Sequence, residues 1–540
     1  MVENLVTKAP RLLHVVSGFP SSHVTGSRVF LWLGSLVLTF LGLYWVVLAP
    51  IVGDDLVFVT FGGLGTLWSD EGLSGLVRLW WEASVGSNHV TPLNGLVYVV
   101  QVLAISTLPH LGIPIAWAWG AFRLFWILLS LLAASWMLKE WFHYIAGRSK
   151  SDKLPLLVFF AGVSAVFMAM IQLRALWSND SVLSYSVAAW LTAALAFLFL
   201  GLIPRIFENP NALSWKLIFL AAFIAITGIL IYELMIVAIA SGAFAILAVW
   251  FLDRKEFGWR QLIFPMGIAI ILPTFIFLLT QYARTFWPSW YSGTQTGYAD
   301  WVIPVTIYAV LNTFPLTNLS KALANIDQPI INVAFVAAVV VSVVGLFALF
   351  LWQLKKSRLP PGKPANRRVW VRTFVFLLTL FFMWVGSALV FAVSAKYQVE
   401  LGTELGTTYL HYSFGILSLT LIIVTTLLLA WSFARWIGWI LIVAIALIAL
   451  AQASTNSIVF NQLNLEKSWT RDLASSQAAG YSLVARCELD RKLQESSLPQ
   501  VQISAIRAGL YRSSEDVNQM SQGCSTFNIE ISRPRNLTLN

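Results

Sequence analysis

Apolar runs of about twenty residues recur along the chain from Val29 to Ala453, separated by short polar stretches. Each is long enough to cross a hydrocarbon core of about 30 Å as a helix. The alternating segments of about ten residues that a membrane β-barrel needs are not found in the pattern. It predicts a polytopic α-helical membrane protein with about eleven transmembrane helices. The intervals are 29–51, 118–142, 154–171, 181–203, 215–231, 234–252, 261–280, 331–354, 373–394, 413–432 and 436–454. An odd number puts the two chain ends on opposite sides.

Charge then chooses the orientation. The connections that would share a side with the N-terminus hold nineteen Lys and Arg, seven of them between residues 355 and 372. The opposite connections before the tail hold five: Arg78, Arg174, Arg284, Lys321 and Lys396. Positive residues favour the cytoplasmic side, so the N-terminus is expected inside the plasma (inner) membrane. The apolar run Leu96–Leu108 is ambiguous. Counted as a span, it would invert everything after it and expose the 355–372 cluster. It is therefore read as part of an outer loop, residues 52–117, with surface helices around 71–84 and 92–108. Residues 282–329 carry Trp287, Trp290, Tyr291, Tyr298 and Trp301, which suit a surface helix in the headgroup belt.

Composition agrees with the pattern: 58% of the 540 residues are apolar, 11% are charged and the mean hydropathy is +0.75. A net charge of +10 could suggest nucleic acid, but the basic residues sit between spans, where they set topology, so no nucleic-acid partner is expected. The first apolar run is too long for a cleaved leader and is read as a retained helix. After Ala453 the chain turns polar, with 9 Lys and Arg against 8 Asp and Glu over 455–540. Strand-like runs at Val501–Ile506 and Phe527–Ser532 suggest a small extracytoplasmic α/β domain following a membrane module over 1–454. The only two cysteines, Cys487 and Cys524, both lie there and can pair as a disulfide in an oxidising compartment. No Walker loop, dinucleotide fingerprint, internal repeat or metal-spaced His/Cys cluster occurs.

Polar residues gather at the outer mouths of the spans. Gly53-Asp54-Asp55 follows the first span directly. A carboxylate at the edge of a low-dielectric site has a raised pKa and can act as a general base, although a lone Asp can equally well end a helix in water. The same loop carries Asn88-His89-Val90-Thr91-Pro92-Leu93. His89 suits a phosphate or a sugar hydroxyl, or plain solvent. Arg123, near the outer end of the second span, reads as structural. Tyr232-Glu233 interrupts an apolar stretch from Leu217 to Leu252, and an acid at that edge is a functional candidate unless it only marks the turn. Arg174 and Asp180 share another outer hairpin. The last outer loop offers Lys396, Tyr409 and His411, a cation and a histidine suited to a phosphate group.

These features together resemble the GT-C superfamily of membrane glycosyltransferases, which includes protein O-mannosyltransferases and lipid A aminoarabinose transferases. Gly53-Asp54-Asp55 is similar to the family's acidic motif after the first span. His89-Val90-Thr91-Pro92-Leu93, Gly112 and Arg123 resemble the passage before its second span, and Tyr232-Glu233 resembles a His/Tyr-Glu pair at an outer hairpin. Gly406–His411 is similar to a late Arg-Tyr loop, with Thr408 where Arg is usual. The resemblance covers about residues 29–454 and leaves the tail unmatched; an actinobacterial cell-wall arabinosyltransferase would share the layout. It implies inverting transfer of a sugar from a polyprenyl-phosphate donor to a glycan, lipid or protein acceptor of the cell envelope. Asp54 or Asp55 would be the base. Lys396, His411, Arg284 and Arg174 would stabilise the leaving phosphate, and His89, Glu233, Tyr232, Tyr409 and Asp180 would contact substrate. A divalent cation, Mg or Mn, is compatible with the acids but not required.

Two other classes compete. A polymerase or ligase of lipid-linked polysaccharide would hold a pyrophosphate with Arg-rich outer loops, which are not present here. A secondary transporter would show broken or charged helices at mid-membrane.

Overall fold

The computed structural model describes residues 26–51, 72–81, 84, 90–107, 113, 115–146, 155–174, 180, 182–184, 186–209, 213–284, 286, 296–324, 329–356, 367–403, 405–407, 410–466, 487 and 491. Among these there is no strand, only an isolated bridge between Thr296 and Ser394. The helices are α1 (Gly26–Leu48), α2 (Leu73–Trp81), α3 (Pro92–Thr107), α4 (Ile115–Ala146), α5 (Leu156–Met170) and α6 (Thr192–Ile206), which a π-helical turn, Val187–Leu191, precedes. Then come α7 (Trp215–Ile231), α8 (Met235–Leu252), α9 (Arg260–Arg284, containing a second π-turn), α10 (Ala299–Leu311), α11 (Leu319–Ala324), α12 (Val333–Lys356), α13 (Arg367–Ala392), α14 (Ala395–Leu401), α15 (Tyr412–Phe433) and α16 (Arg435–Glu466).

Nine of the described helices are long and apolar enough to cross a membrane. The protein is a helical membrane protein. Two of the eleven sequence intervals carry shorter apolar helices, α5 and α7. The α/β character expected for the tail falls outside the described residues.

The core is built around α5. Residues Leu157–Met170 are all buried, and α1, α4, α12, α15 and α16 pack around this helix. A helix apolar all round can only be satisfied in such a position. At the periphery, α9 turns Ile263, Ile271, Phe275, Leu278 and Leu279 outward, as a lipid-facing helix does. Close approach of α4 to α1 depends on Gly120, where a Cβ would lie 2.3 Å from the Val47 carbonyl oxygen.

Side-chain contacts sort the helix ends into two sets. At one end, the last turn of α4, the residue closing α8 and the first turns of α13 meet through Tyr144, Asp253, Arg368 and Arg372. At the other end, α1 runs parallel to α5, with Trp32 beside Phe160 and Gly42 beside Met168. The exit of α1 towards Gly53-Asp54-Asp55 therefore shares an end with Gln172 and Arg174.

The segment around α10 departs from a flat surface helix. Its start is fixed by Gly297 N–H donating to Val393 O (2.8 Å), and by the Gln398 amide bonding both the N–H and the C=O of Tyr298 (2.9 Å each). Its end meets Trp384: the Trp384 indole donates to Thr313 Oγ1 (2.8 Å), and Phe314 packs on the same ring. Trp384 stands nine residues down α13 from Val393, or about 14 Å at 1.5 Å per residue. Thus α10 descends into the bundle, breaks over 312–318 and turns into α11. Broken backbone at this depth must be paired inside the protein, and side-chain amides pair it. Gln172 donates to Asn312 O, Leu316 N–H donates to Gln452 Oε1 (2.6 Å), and Asn318 donates to Leu173 O (2.6 Å). Leu316 takes φ 68°, the one positive φ outside glycine among the described residues, a conformation that costs about 1–2 kcal/mol and that the Gln452 bond holds in place.

Candidate functional site

Asp54, Asp55, His89, Tyr409 and Cys524 lie outside the described residues. Cys487 is buried and disulfide-bonded. The remaining candidates fall into two clusters at the end where α1 exits.

The first cluster joins Arg174, Asp180 and His411, each 1% exposed. Asp180 closes the loop between α5 and the π-turn. Its Oδ2 accepts from Arg174 N–H, and its Oδ1 accepts from Val182 N–H (2.7 Å) and Leu183 N–H (2.9 Å). Burial raises the Asp180 pKa, opposed by these bonds and by the Arg174 charge. Arg174 also acts on His411, which caps α15 with Nε2 3.3 Å from Ala309 O. Burial, with Arg174 adding to it, pushes His411 down to about 4. The imidazole is therefore neutral at pH 7. Its one N–H is on Nε2, donated to Ala309 O, so Nδ1 can only accept, which leaves Arg174 as the cluster's cation.

Around this group runs a network of uncharged amides. Gln172 N–H donates to Tyr412 Oη (2.9 Å), and Asn312 Nδ2 donates to Thr407 Oγ1 (2.9 Å). Asn456 accepts from Leu173 N–H (3.0 Å) and donates to Ile171 O (2.8 Å). Gly406, at φ +82°, turns its N–H onto Asn312 Oδ1 (2.7 Å). These groups position the segments carrying Arg174 and His411.

The second cluster is Glu233, Gln281 and Arg284. The tight hairpin between α7 and α8 places Glu233 where Arg284 reaches it at 3.1 Å and Gln281 Nε2 at 3.2 Å. Both charged side chains are partly open, at 19% and 13%, so this pair can exchange partners with an incoming group. Tyr232 is buried beside it. Lys396 stands on α14 with its ammonium 5.6 Å from the Tyr397 ring centre. Tyr397 packs on Phe391, and Phe391 on His411, which ties α14 to the first cluster. Arg123 is buried and donates to Ala49 O (3.4 Å) and Pro50 O (3.2 Å). It holds the chain just before Gly53-Asp54-Asp55.

Sequence reasoning missed the amide network and, at the opposite end, the ionic knot around Asp253. Arg372 contacts both Asp253 carboxylate oxygens (3.0 and 2.8 Å) and lies over the Tyr144 ring at 4.3 Å. Arg368 bridges Asp253 and Glu256 at 2.6 Å each, and Tyr144 Oη donates to Asp253 Oδ2 (2.8 Å). Burial would raise the Asp253 pKa, but these bonds outweigh it and hold the pKa below the usual carboxylate value. The one advance signal was the pair of acids, Asp253 and Glu256, set among Arg254, Lys255 and Arg260 in one short connection. Among the described residues, no three His, Cys, Asp or Glu side chains gather as a metal site. In comparisons with known proteins, no family model, no curated protein and no solved structure matches this chain.

Proposed function

We propose that the protein is a membrane glycosyltransferase that moves a sugar from a polyprenyl-phosphate donor to a cell-envelope acceptor on the outer face. The supporting observation is convergence: Arg174, Asp180, His411, Glu233, Arg284 and Arg123 gather at the end where α1 delivers the chain to Asp54 and Asp55. The positive-inside bias makes that end the outer one, and the Cys487 disulfide agrees with a tail in an oxidising compartment.

In this reading Asp54 or Asp55 takes the proton of the acceptor hydroxyl, whose oxygen attacks the anomeric carbon from the face opposite the leaving group. The bond from the anomeric carbon to the phosphate oxygen breaks, and its electron pair leaves with the polyprenyl phosphate. Arg174, Lys396 and Arg284 supply positive charge for that phosphate, and neutral His411, its N–H on Ala309 O, stands beside Arg174. Glu233, released from Arg284, orients sugar hydroxyls, as do Tyr232, His89 and Tyr409. Purified protein supplied with polyprenyl-phosphate sugars should release polyprenyl phosphate, and Asp54→Asn or Asp55→Asn should stop it.

A second reading draws on α10. Its break at 312–318 inside the bundle is the kind of discontinuous helix that secondary transporters use. Solute uptake by proteoliposomes, with no transfer from any polyprenyl-phosphate sugar, would favour that reading.

A further inference from the structure

Helix α3 is built inside out. Asn94, Tyr98 and Gln101 follow an i, i+4, i+7 spacing and so form one stripe of the helix. That polar stripe faces inward: Tyr98 and Gln101 are each 1% exposed, whereas Leu96 and Val100, on another face, are 49% and 55% exposed. A third face, carrying Gly95 and Val99, packs against α2. The polar stripe meets α4, where Tyr98 stacks on Trp119 (centroids 6.4 Å apart), and α3 also packs against α7 and the π-turn Val187–Leu191.

Several polar atoms at this junction are buried without a hydrogen-bond partner among the described residues. They are Asn94 Oδ1, both amide atoms of Gln101, the indole nitrogen of Trp126 and the Ser186 hydroxyl at the start of the π-turn. Trp126 lies seven residues after Trp119, on the face of α4 that meets α3. Buried orphan groups are costly and rare, and several at one helix junction call for a ligand. The groups named are uncharged and suit hydroxyl groups as partners. Arg123, on the same face of α4, already holds the carbonyls of Ala49 and Pro50.

We propose that the inward stripe of α3, with Trp126 and Ser186, is a subsite for a neutral, hydroxyl-rich ring, a glycosyl unit of donor or acceptor. Amide oxygens and a hydroxyl accept from sugar hydroxyls, amide and indole N–H groups donate to them, and the aromatic pair Tyr98–Trp119 walls the site. This rests on the glycosyl-transfer reading for its substrate class, but binding can be measured without turnover.

The experiment is a thermal-unfolding titration of the full-length protein in detergent with a panel of methyl glycosides and, in parallel, dioctanoylglycerol. Wild type should be stabilised by at least one glycoside. Gln101→Leu and Trp126→Phe should unfold at the wild-type temperature or above it, because each removes orphan polar atoms, and should weaken glycoside binding about tenfold or more, the loss of one buried hydrogen bond. Glycoside binding unchanged in both variants overturns the subsite. So does stabilisation by dioctanoylglycerol alone, or by nothing in the panel. Glycoside binding lost in the variants, with no sugar transfer by wild type, keeps the subsite and removes the transferase.

Discussion

The two ends of the bundle solve the same problem differently. At the Asp253 end, one acid closing α8 is shared by two arginines of α13 and a tyrosine of α4, and each of these contacts is between groups of the protein itself. At the Arg174 end, uncharged amides carry the structural load, while the charged groups stand in small sets at the end where α1 exits. The knot at Asp253 and Arg372 fixes helices, with Arg368 and Glu256 half-exposed at its rim. Amides that satisfy broken backbone spare charged groups from that task, and in the proposed reading those charges meet the substrate.

Substitutions should separate the two roles. Asp253→Ala strands the Arg372 guanidinium, and breaking a buried pair this way costs about 3–5 kcal/mol. The expected result is a large loss of folded protein on heating in detergent, with normal transfer per folded molecule. An Asp253→Leu, Arg372→Met double variant should recover most of that loss. Asp180→Ala removes the acceptor of three backbone N–H groups and should cost about 3 kcal/mol, but here transfer per folded molecule should fall as well, because Arg174 loses its seat. Equal effects on activity from both ends would erase the distinction.

His411 gives a pH test. Its pKa lies near 4 in the folded protein, against about 6.5 when unfolded, so the unfolded chain takes the proton first. Its contribution is whole above about pH 6.5 and is lost as pH falls towards 4, amounting to about 2 kcal/mol at pH 5. Asp180, whose pKa is raised, acts in the opposite sense in acid. The difference between wild type and His411→Gln across this range isolates the histidine, and parallel curves would contradict its burial in neutral form. The smallest stability effect is expected for Glu233→Gln, under about 1 kcal/mol for a partly exposed pair, with a clear drop in transfer rate; a rate equal to wild type would remove Glu233 from the site.

Much of the helical framework was legible because apolar length is a local property. The end of α16 was not: Gln452 closes the expected span and Asn456 and Ser457 read as the start of a tail, yet the helix continues to Glu466. These side chains face inward and bond Leu316, Leu173, Ile171 and Asn332 from distant segments. The descent of α10 was hidden for the same reason, since its partners lie far away in sequence. In the site, Glu233 and Arg284 were singled out separately as unusual charges at span mouths, but only the fold joins them. His411 was singled out as a phosphate partner from residue type; its neutrality follows from burial, which no local pattern carries.

The most direct measurement is sugar transfer from polyprenyl-phosphate donors by the purified protein, beside Asp54→Asn and Asp55→Asn variants of matched thermal stability. The account expects polyprenyl phosphate release by wild type and its loss in at least one variant. Full turnover in both variants, or none by folded wild type with any such donor, would contradict it.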